Sequence, residues 1–247
     1  MIKLSDFQTD LSQGKEKEKI QKKLAKIVKK IGDLQHKLYA ENKRSLLVVF
    51  QGMDASGKDG AAKSVFANCN PSGIDAFSFK KPSDDEFAHD FLWRVHKVAP
   101  KKGQIMVFIR SHYEDILIQK VHNWIDDAKR DMRMKAINAW EQLLQEDAKT
   151  TVLKFYLHIS PEVQETKLQE RIDNPEKQWK HNDNDWEERK KWAEYREAYE
   201  YVLNESEIPW HIAPADVRWY RNYFIAKIVL ETLEKMDPKL PQIQSSK

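Results

Sequence analysis

The chain has 247 residues, and its 42 basic and 39 acidic side chains leave a formal net charge of +3. This length suits one large α/β domain, and so small a net charge excludes a protein that is basic throughout and has nucleic acid as its partner. The single cysteine, Cys69, excludes an internal disulfide, and no stretch approaches the roughly 20 apolar residues of a membrane span. Since the sequence also begins without the apolar run of a signal peptide, it predicts a cytoplasmic protein with no membrane partner.

The first predicted element is a lysine-rich helix in an N-terminal helical arm, residues 1–44. Its apolar residues recur at alternating steps of four and three from Ile20 to Leu38, a pattern typical of a helix that packs or self-associates along a narrow stripe. Residues 15–30 hold eight lysines and two glutamates. These lysines indicate either a surface for a polyanion or an ordinary solvated helix face, and the stripe favours a homodimer or a homotetramer.

A phosphate-binding loop follows the arm. Residues 46–50 predict a buried strand, residues 52–59 read Gly-Met-Asp-Ala-Ser-Gly-Lys-Asp, and a helix is expected at 60–68. Backbone N–H groups freed by glycine, a lysine and a helix N-terminus are the groups that bind phosphate in a P-loop. A general P-loop has Ser or Thr after the lysine to hold Mg²⁺, whereas this chain has Asp59 there and Asp54 inside the loop. The alternative, an ordinary strand-to-helix turn, is disfavoured because the chain has only seven glycines.

Four further strands are predicted in alternation with helices, at 74–79, 105–109, 152–159 and 210–213. This alternation is typical of an α/β fold, a three-layer sandwich whose parallel sheet is covered on both faces. Helices are expected at 87–96 after a capping box formed by Ser83 and Glu86, after Ser160, and at 217–236 after Asp216 as the N-cap. Residues 45–236 would form the kinase domain, and residues 237–247 a surface tail.

Charged residues follow the second and third predicted strands. Lys80 and Lys81 come after the second, and residues 110–115 after the third, where the carboxyl ends of parallel strands bring ligand-binding groups together. Each cluster alone is more typical of surface salt bridges. The presence of both clusters in a chain that also has a P-loop favours binding of phosphate and Mg²⁺.

Residues 171–200 are polar and aromatic and predict a helical lid. Closing such a lid would exclude water and bring arginines to a transferred phosphate. Between Arg171 and Arg196 seven basic side chains are balanced by seven acidic ones, so a salt-bridged surface helix is the alternative interpretation.

Together these motifs resemble the polyphosphate kinase 2 family over about residues 30–236. The resemblance is carried by residues 50–60, 78–83, 89–94, 110–114, 179–180, 192–199, 209–210 and 214–216. It implies a P-loop kinase-like fold with a helical lid. It also implies Mg²⁺-dependent, reversible phosphoryl transfer between inorganic polyphosphate and nucleotides, with AMP, ADP and GDP as candidate acceptors and Mn²⁺ as an alternative metal.

The resemblance further implies roles for individual residues. The catalytic set would be Asp54, Lys58, Asp59, Arg110 and Arg171, and the metal ligands Asp54 and Glu114. Phosphate or polyphosphate would contact Gly52, Ala55, Ser56, Gly57, Gly60, Lys80 and Arg94. The nucleotide and lid set would be Tyr113, Trp179, Lys180, Trp192 and Arg196.

Ile109 departs from the family pattern, which usually has Asn or Asp before the Arg-Ser pair. An apolar side chain cannot hold a metal-bound water, so reduced but real activity or an altered acceptor is expected. Two other functions stay open on sequence grounds. One is an ATP-dependent nucleoside monophosphate kinase, which would need a second base pocket, and the other is a nucleotide- or polyphosphate-binding module without turnover.

Overall fold

The protein is described by a computed structural model that covers residues 1–242. Five strands run as β1 Ser45–Gln51, β2 Ile74–Ser78, β3 Ile105–Ile109, β4 Thr150–His158 and β5 Trp210–Pro214. The α-helices of the described part are α1 Lys17–Glu41, α2 Lys58–Val65, α3 Asp84–Ala88, α4 Trp93–His96, α5 Ile118–Val121, α6 Asp127–Glu146, α7 Pro161–Asp173, α8 Asn184–Arg189, α9 Trp192–Glu205 and α10 Arg218–Met236.

The strands form one parallel sheet in the order β2-β3-β1-β4-β5. All five predicted strands are present. The central strand β1 is buried along its whole length, as expected for a strand paired on both sides and covered on both faces. Phe50, near its end, pairs with Ile109 of β3 and Phe155 of β4. The residues that follow β1 and β3 therefore meet at the carboxyl edge of the sheet.

Helices cover both faces of the sheet, as a three-layer sandwich requires. Lys154 of β4 contacts Glu141 of α6 at 2.6 Å, and this places α6 on one face. The next residue, Phe155, points to the other face because side chains alternate along a strand. Its ring lies 5.5 Å from that of His211. Helix α10 packs against β5, and its Glu231 is close enough to oppose the lowering of the His211 pKa by burial. Thus α10 covers the second face.

The N-terminal helix α1 packs on α10 within the same chain. The apolar stripe is buried at Ile20, Ile31 and Leu38, so it is used inside the protomer. The two helices run parallel: Lys15, just before α1, lies over the Tyr220 ring near the start of α10. At the other end Arg44 Nη2 donates to Asp237 O at 3.3 Å. Both helices therefore begin at the carboxyl edge of the sheet.

Two predicted helix boundaries are wrong. The capping box at Ser83 forms, but the helix it starts ends at Ala88, because Asp90 Oδ1 accepts from the Leu92 backbone N–H and starts a new turn. The predicted helix at 87–96 is thus two short helices. Asp216 does not cap α10; its carboxylate accepts a hydrogen bond from the Ser160 backbone N–H at 2.8 Å and ties the end of β4 to that of β5.

The first residues of the chain lie across α9. Asn204 exchanges hydrogen bonds with the backbone of Ile2, and Glu200 accepts from the Leu4 N–H at 2.7 Å. Of the predicted tail, residues 243–247 lie outside the described residues, while residues 237–242 have no regular structure. Over residues 1–242, every helix is too short or too polar to cross a membrane.

Candidate active site

The loop after β1 is the predicted phosphate-binding loop, and an arginine side chain packs behind it. Ala55 and Gly57 have positive φ angles of 60° and 92°, which turn the loop back toward α2. A Cβ on Gly57 would overlap the guanidinium of Arg221, so glycine is required there. Arg221 comes from α10, is buried, and donates from Nη1 to Ser56 O at 2.9 Å. The loop is therefore braced by the last helix of the fold.

Lys58 begins α2 and carries its ammonium across the loop. Its Nζ donates to Gly52 O at 2.6 Å and to Met53 O at 3.1 Å. Burial lowers the pKa of Lys58 to about 8, although the nearby Asp54 carboxylate opposes that shift. Its direct partners are two carbonyl oxygens, which carry no full charge. The ammonium is therefore held in place with its charge available to a phosphate.

Asp54 forms an ion pair with Arg110, Nη2 to Oδ1 at 2.5 Å. Arg110 follows β3 in a left-handed conformation, φ 59°, which is uncommon for a residue other than glycine and typical of functional sites. Burial opposes ionisation of Asp54, but Lys58 and Arg110 outweigh it and hold the pKa of the carboxyl below its usual value. Burial raises the pKa of the neighbouring Glu114.

Residues of the predicted lid form the opposite wall of this cleft. Asp54, Arg110 and Glu114 line it together with Asp185 and Arg189, which lie on α8. Asp185 lies beside a cation and Arg189 beside a carboxylate, so the wall of the cleft is polar and carries charges of both signs.

The lid is tied to the loop through hydrogen bonds. Gln164 Nε2 donates to Asp54 O at 3.1 Å, and Arg189 Nη1 donates to Gln164 Oε1 at 3.1 Å. Arg171 holds Asp185 at 2.5 Å. A cleft that joins a P-loop, basic and acidic side chains and a helical cover has the parts of a phosphoryl-transfer site.

Comparison with known proteins supports this assignment. The sequence profile described as Polyphosphate kinase 2 matches residues 14–241. The chain belongs to the polyphosphate kinase 2 family. The predicted membership is thus confirmed.

Relatives of this chain in the polyphosphate kinase 2 family align over most of its length. It is 44% identical over 226 residues to the AMP/ADP-polyphosphate phosphotransferase of Meiothermus ruber, covering 90% of this chain and 84% of the relative. It is 39% identical over 230 residues to the ADP-polyphosphate phosphotransferase of Rhodopseudomonas palustris, covering 87% and 79%. The crystal structure of polyphosphate kinase 2 from Arthrobacter aurescens TC1 matches with a TM-score of 0.94 at 34% identity, over 100% of this chain and 90% of that one. The predicted fold is confirmed.

Within this polyphosphate kinase 2 fold, one residue predicted to contact nucleotide faces away from the cleft. Tyr113 has no exposed surface. Its hydroxyl donates to Glu141 at 2.9 Å and accepts from Lys154 at 2.6 Å on the α6 side of the sheet. The turn after β3 sends the adjacent Glu114 to the cleft and Tyr113 to the core, so the nucleotide contact predicted for Tyr113 is wrong.

The aromatic residues of the lid are not all in one place. Trp192 and Arg196 lie on α9 and line a second, mostly apolar cavity beside Met53 and the first residues of the chain. Trp179 is 78% exposed, and Lys180 Nζ lies 4.8 Å from its ring centroid. These four predicted nucleotide and lid contacts are therefore absent from the polar cleft, where the aromatic side chains are Tyr195 and Tyr199.

The predicted polyphosphate contacts differ in how free they are. Arg94 is buried, binds Asp115 at 3.1 Å and donates to Lys80 O at 2.9 Å, so its guanidinium is already used to hold the loop after β2. The Lys80 side chain is exposed at that loop, as are Asp59 and Gly60 on the first turn of α2.

Sequence reasoning did not single out several residues that build the site. Gln164 and Arg221 contact the loop backbone, and Asp185 and Arg189 line the cleft. The last two stood only among the many charges of the lid segment. Their spacing could have identified them, since Asp185 and Arg189 are four residues apart and therefore share one helix face. Arg221 carried no signal.

The cleft contains two carboxylates that could bind a divalent metal ion. No cluster of three His, Cys, Asp or Glu side chains suited to a metal occurs in residues 1–242. Mg²⁺ in kinases is commonly held by one or two carboxylates with water and substrate phosphates completing the shell. Asp54 and Glu114 line one cleft, and both carboxylates raise the pKa of Arg110 in the same cleft; they fit that arrangement.

Proposed function

We propose that this chain transfers phosphoryl groups between inorganic polyphosphate and nucleoside mono- and diphosphates, in a reversible reaction that requires Mg²⁺ or Mn²⁺. The observation that carries the proposal is the convergence of Asp54, Arg110 and Glu114 in one cleft beneath lid residues, with the Lys58 ammonium bound to the carbonyl of Gly52, another residue of the cleft wall. The named activities of the relatives, on AMP, ADP and polyphosphate, support the donor and the acceptors.

Phosphoryl transfer needs positioning and neutralisation of charge more than covalent help from the protein. Lys58 would bind the oxygens of the transferred group, with loop N–H groups from residues 55–60 around it. Arg110, now paired with Asp54, would move to phosphate oxygens that link donor and acceptor. Asp54 and Glu114 would hold the metal ion, which when bound neutralises phosphate charge.

The lid would supply the remaining positive charge and exclude water. Arg171 is held by Asp185, and Arg189 reaches the Gln164 side chain that touches the loop. Closing this wall over the substrates would strengthen each charge interaction because water is removed from the cleft. Tyr195 and Tyr199 are the rings in the cleft that can contact the acceptor nucleotide.

The test is product formation by the purified protein with Mg²⁺ and long-chain polyphosphate, offered AMP, ADP or GDP separately. ATP with AMP serves as the control donor. Nucleotide products that depend on polyphosphate are expected; turnover only with ATP would assign the chain to the nucleoside monophosphate kinases instead. If the protein binds polyphosphate but shows no turnover under any of these conditions, the chain is a binding module and not an enzyme.

The same assay addresses Ile109, which is partly buried at the end of β3 and packs against the core. Ile109→Asn restores an amide that can hold a metal-bound water, so its turnover is expected to exceed that of the parent or to favour another acceptor. An unchanged rate and acceptor ranking would remove this position from the site.

The assembly and location of the protein are part of this proposal. We expect a homodimer or homotetramer in the cytoplasm. Because the α1 stripe is used within the chain, the contacts between copies would lie on other surfaces. Light scattering that gives the mass of one chain would contradict the oligomer.

A further inference from the structure

The lysine-rich face of α1 is unused by the site described so far. Lys19, Lys22, Lys26 and Lys29 follow one another at steps of three and four, so they share one side of the helix. Lys23 and Lys30 lie beside them. All six are exposed, and within residues 1–242 none of them takes part in an ion pair. The apolar stripe on the neighbouring side is packed on α10.

This lysine face begins at the edge of the sheet where phosphate would bind. Helices α1 and α10 are parallel and start together, with Lys15 Nζ 5.1 Å from the Tyr220 ring centroid. Arg221, one residue beyond Tyr220, contacts the P-loop at Ser56 O. The first turn of α10 thus lies between the P-loop and Lys15, which is four residues before the first lysine of the face.

Further cations occupy that gap. Arg218 is exposed on the first turn of α10, and Lys167 of α7 donates from Nζ to Ala215 O at 3.2 Å. Of the acids close to Lys167, Asp216 accepts from the Ser160 N–H and Glu170 binds Lys177 at 2.6 Å. Glu16 and Glu18, at the start of α1, are exposed.

Such an arrangement costs stability unless an anion offsets it. Lysines three and four residues apart on one helix repel one another. A row of cations that leads to a charged pocket raises the local concentration of a polyanion and guides it there.

We propose that the lysine face of α1 (Lys19, Lys22, Lys23, Lys26, Lys29 and Lys30), reached through Arg218 and Lys167, binds the distal part of a long inorganic polyphosphate chain whose end lies in the P-loop. This inference rests on the proposed function for the identity of the chain. A nucleic acid fits less well, because residues 17–31 contain no aromatic side chain on which bases could stack.

The test uses the variant Lys19→Gln/Lys22→Gln/Lys26→Gln, which keeps good helix formers on the surface. Its KM is measured with long polyphosphate and with tripolyphosphate at saturating nucleotide. For the long chain KM is expected to rise about tenfold, and the dependence of log KM on log salt to become shallower, as when a polyanion loses cation contacts. KM for tripolyphosphate, kcat and the nucleotide KM should stay within about twofold, since those ligands do not reach α1.

The matched control is Lys43→Gln/Lys102→Gln/Lys235→Gln. These lysines are exposed at the opposite edge of the sheet or the far end of α10, so the control removes the same total charge. It should behave as the parent. Equal effects in both variants, equal effects on long and short donors, or no effect in the α1 variant would each overturn the proposal.

Direct binding separates this inference from the proposed function. Retention of labelled long polyphosphate by the full chain is measured without nucleotide, with single-stranded RNA as competitor. If the parent binds polyphosphate through α1 but shows no turnover, the binding role of the lysine face is supported and the proposed reaction is contradicted. If the parent catalyses the reaction and the α1 variant binds the long chain as well as the parent does, only the binding role of the lysine face is contradicted. Displacement by RNA at equal charge concentration would also overturn it.

Discussion

Two buried lysines on opposite sides of one turn show how the same chemistry serves structure or function. Lys154 Nζ contacts Glu141 at 2.6 Å and the Tyr113 hydroxyl at 2.6 Å, with no exposed surface. Among the partners that residues 1–242 offer, Lys58 Nζ contacts only the carbonyls of Gly52 and Met53, and Lys58 is 7% exposed. The charge of Lys154 is neutralised by a carboxylate of the protein, whereas the charge of Lys58 is left available to a ligand.

The turn after β3 separates the two environments. Tyr113 belongs to the sealed cluster, and the adjacent Glu114 lines the cleft. His112 Nε2 lies 3.2 Å from Glu141, which completes the sealed side. Burial opposes ionisation of Glu141, but Lys154 and His112 outweigh it and lower its pKa. The comparison teaches that a buried cation is a functional candidate when its carboxylate partner is missing.

The largest expected effect is on the sealed side. Lys154→Met leaves the Glu141 carboxylate buried without its cation, and such a loss typically costs about 3–5 kcal/mol of unfolding free energy. Urea unfolding would measure it. The double variant Glu141→Leu/Lys154→Met should recover most of that loss, because neither charge is then left alone. A single variant as stable as the parent would contradict the distinction drawn here.

Lys58→Met should show the reverse pattern. It removes a desolvated charge without a paired carboxylate, so the unfolding free energy is expected to stay the same or rise. Loss of a group that stabilises charge in the transition state should raise the activation free energy by about 3 kcal/mol, which lowers kcat on the order of a hundredfold. Kinetics and unfolding on one preparation test both halves. An unchanged kcat would remove Lys58 from the catalytic set.

The smallest expected effect is a fall of kcat/KM at alkaline pH, the alkaline limb of the pH profile. Burial places the pKa of Lys58 near 8 in the free protein, so kcat/KM should fall as pH rises above about 8 and the ammonium is lost. Bound polyanion favours the ammonium, so the limb in kcat should lie at higher pH. For stability the sign is opposite: the native pKa is below the unfolded one, so the contribution of Lys58 to stability improves between pH 8 and about 10.4.

A pH series of both constants would test this limb. Lys58→Arg, which keeps its charge throughout, is the control. A limb that persists in this variant would belong to another group.

The strands and the P-loop could be predicted because their signals are local. A buried parallel strand is an apolar run bounded by turn residues, and the glycine-lysine spacing defines the loop. The start of α3 was equally local, but its end depended on Asp90, which begins another turn. Capping residues mark a helix start better than its length.

The remaining site depends on contacts between distant residues. The direction of Tyr113 follows from a short turn with no periodicity, so nothing in the sequence tells it from Glu114. Arg221 reads as one more cation on a helix, yet it meets Ser56 across 165 positions of chain. Arg94 looked available for phosphate because its partner Asp115 is 21 positions away. Tertiary pairing decides which charges remain free.

The central place of β1 has a consequence for synthesis. Its neighbours in the sheet, β3 and β4, both come later in the chain, and the arginine that braces the loop lies in the last helix. Since chains emerge from the ribosome amino end first, the glycine loop leaves the ribosome early but has nothing to hold its shape. Until α10 is released, the apolar stripe of α1 also lacks its partner. The loop proposed to bind phosphate can therefore take its final shape only after α10 has been released.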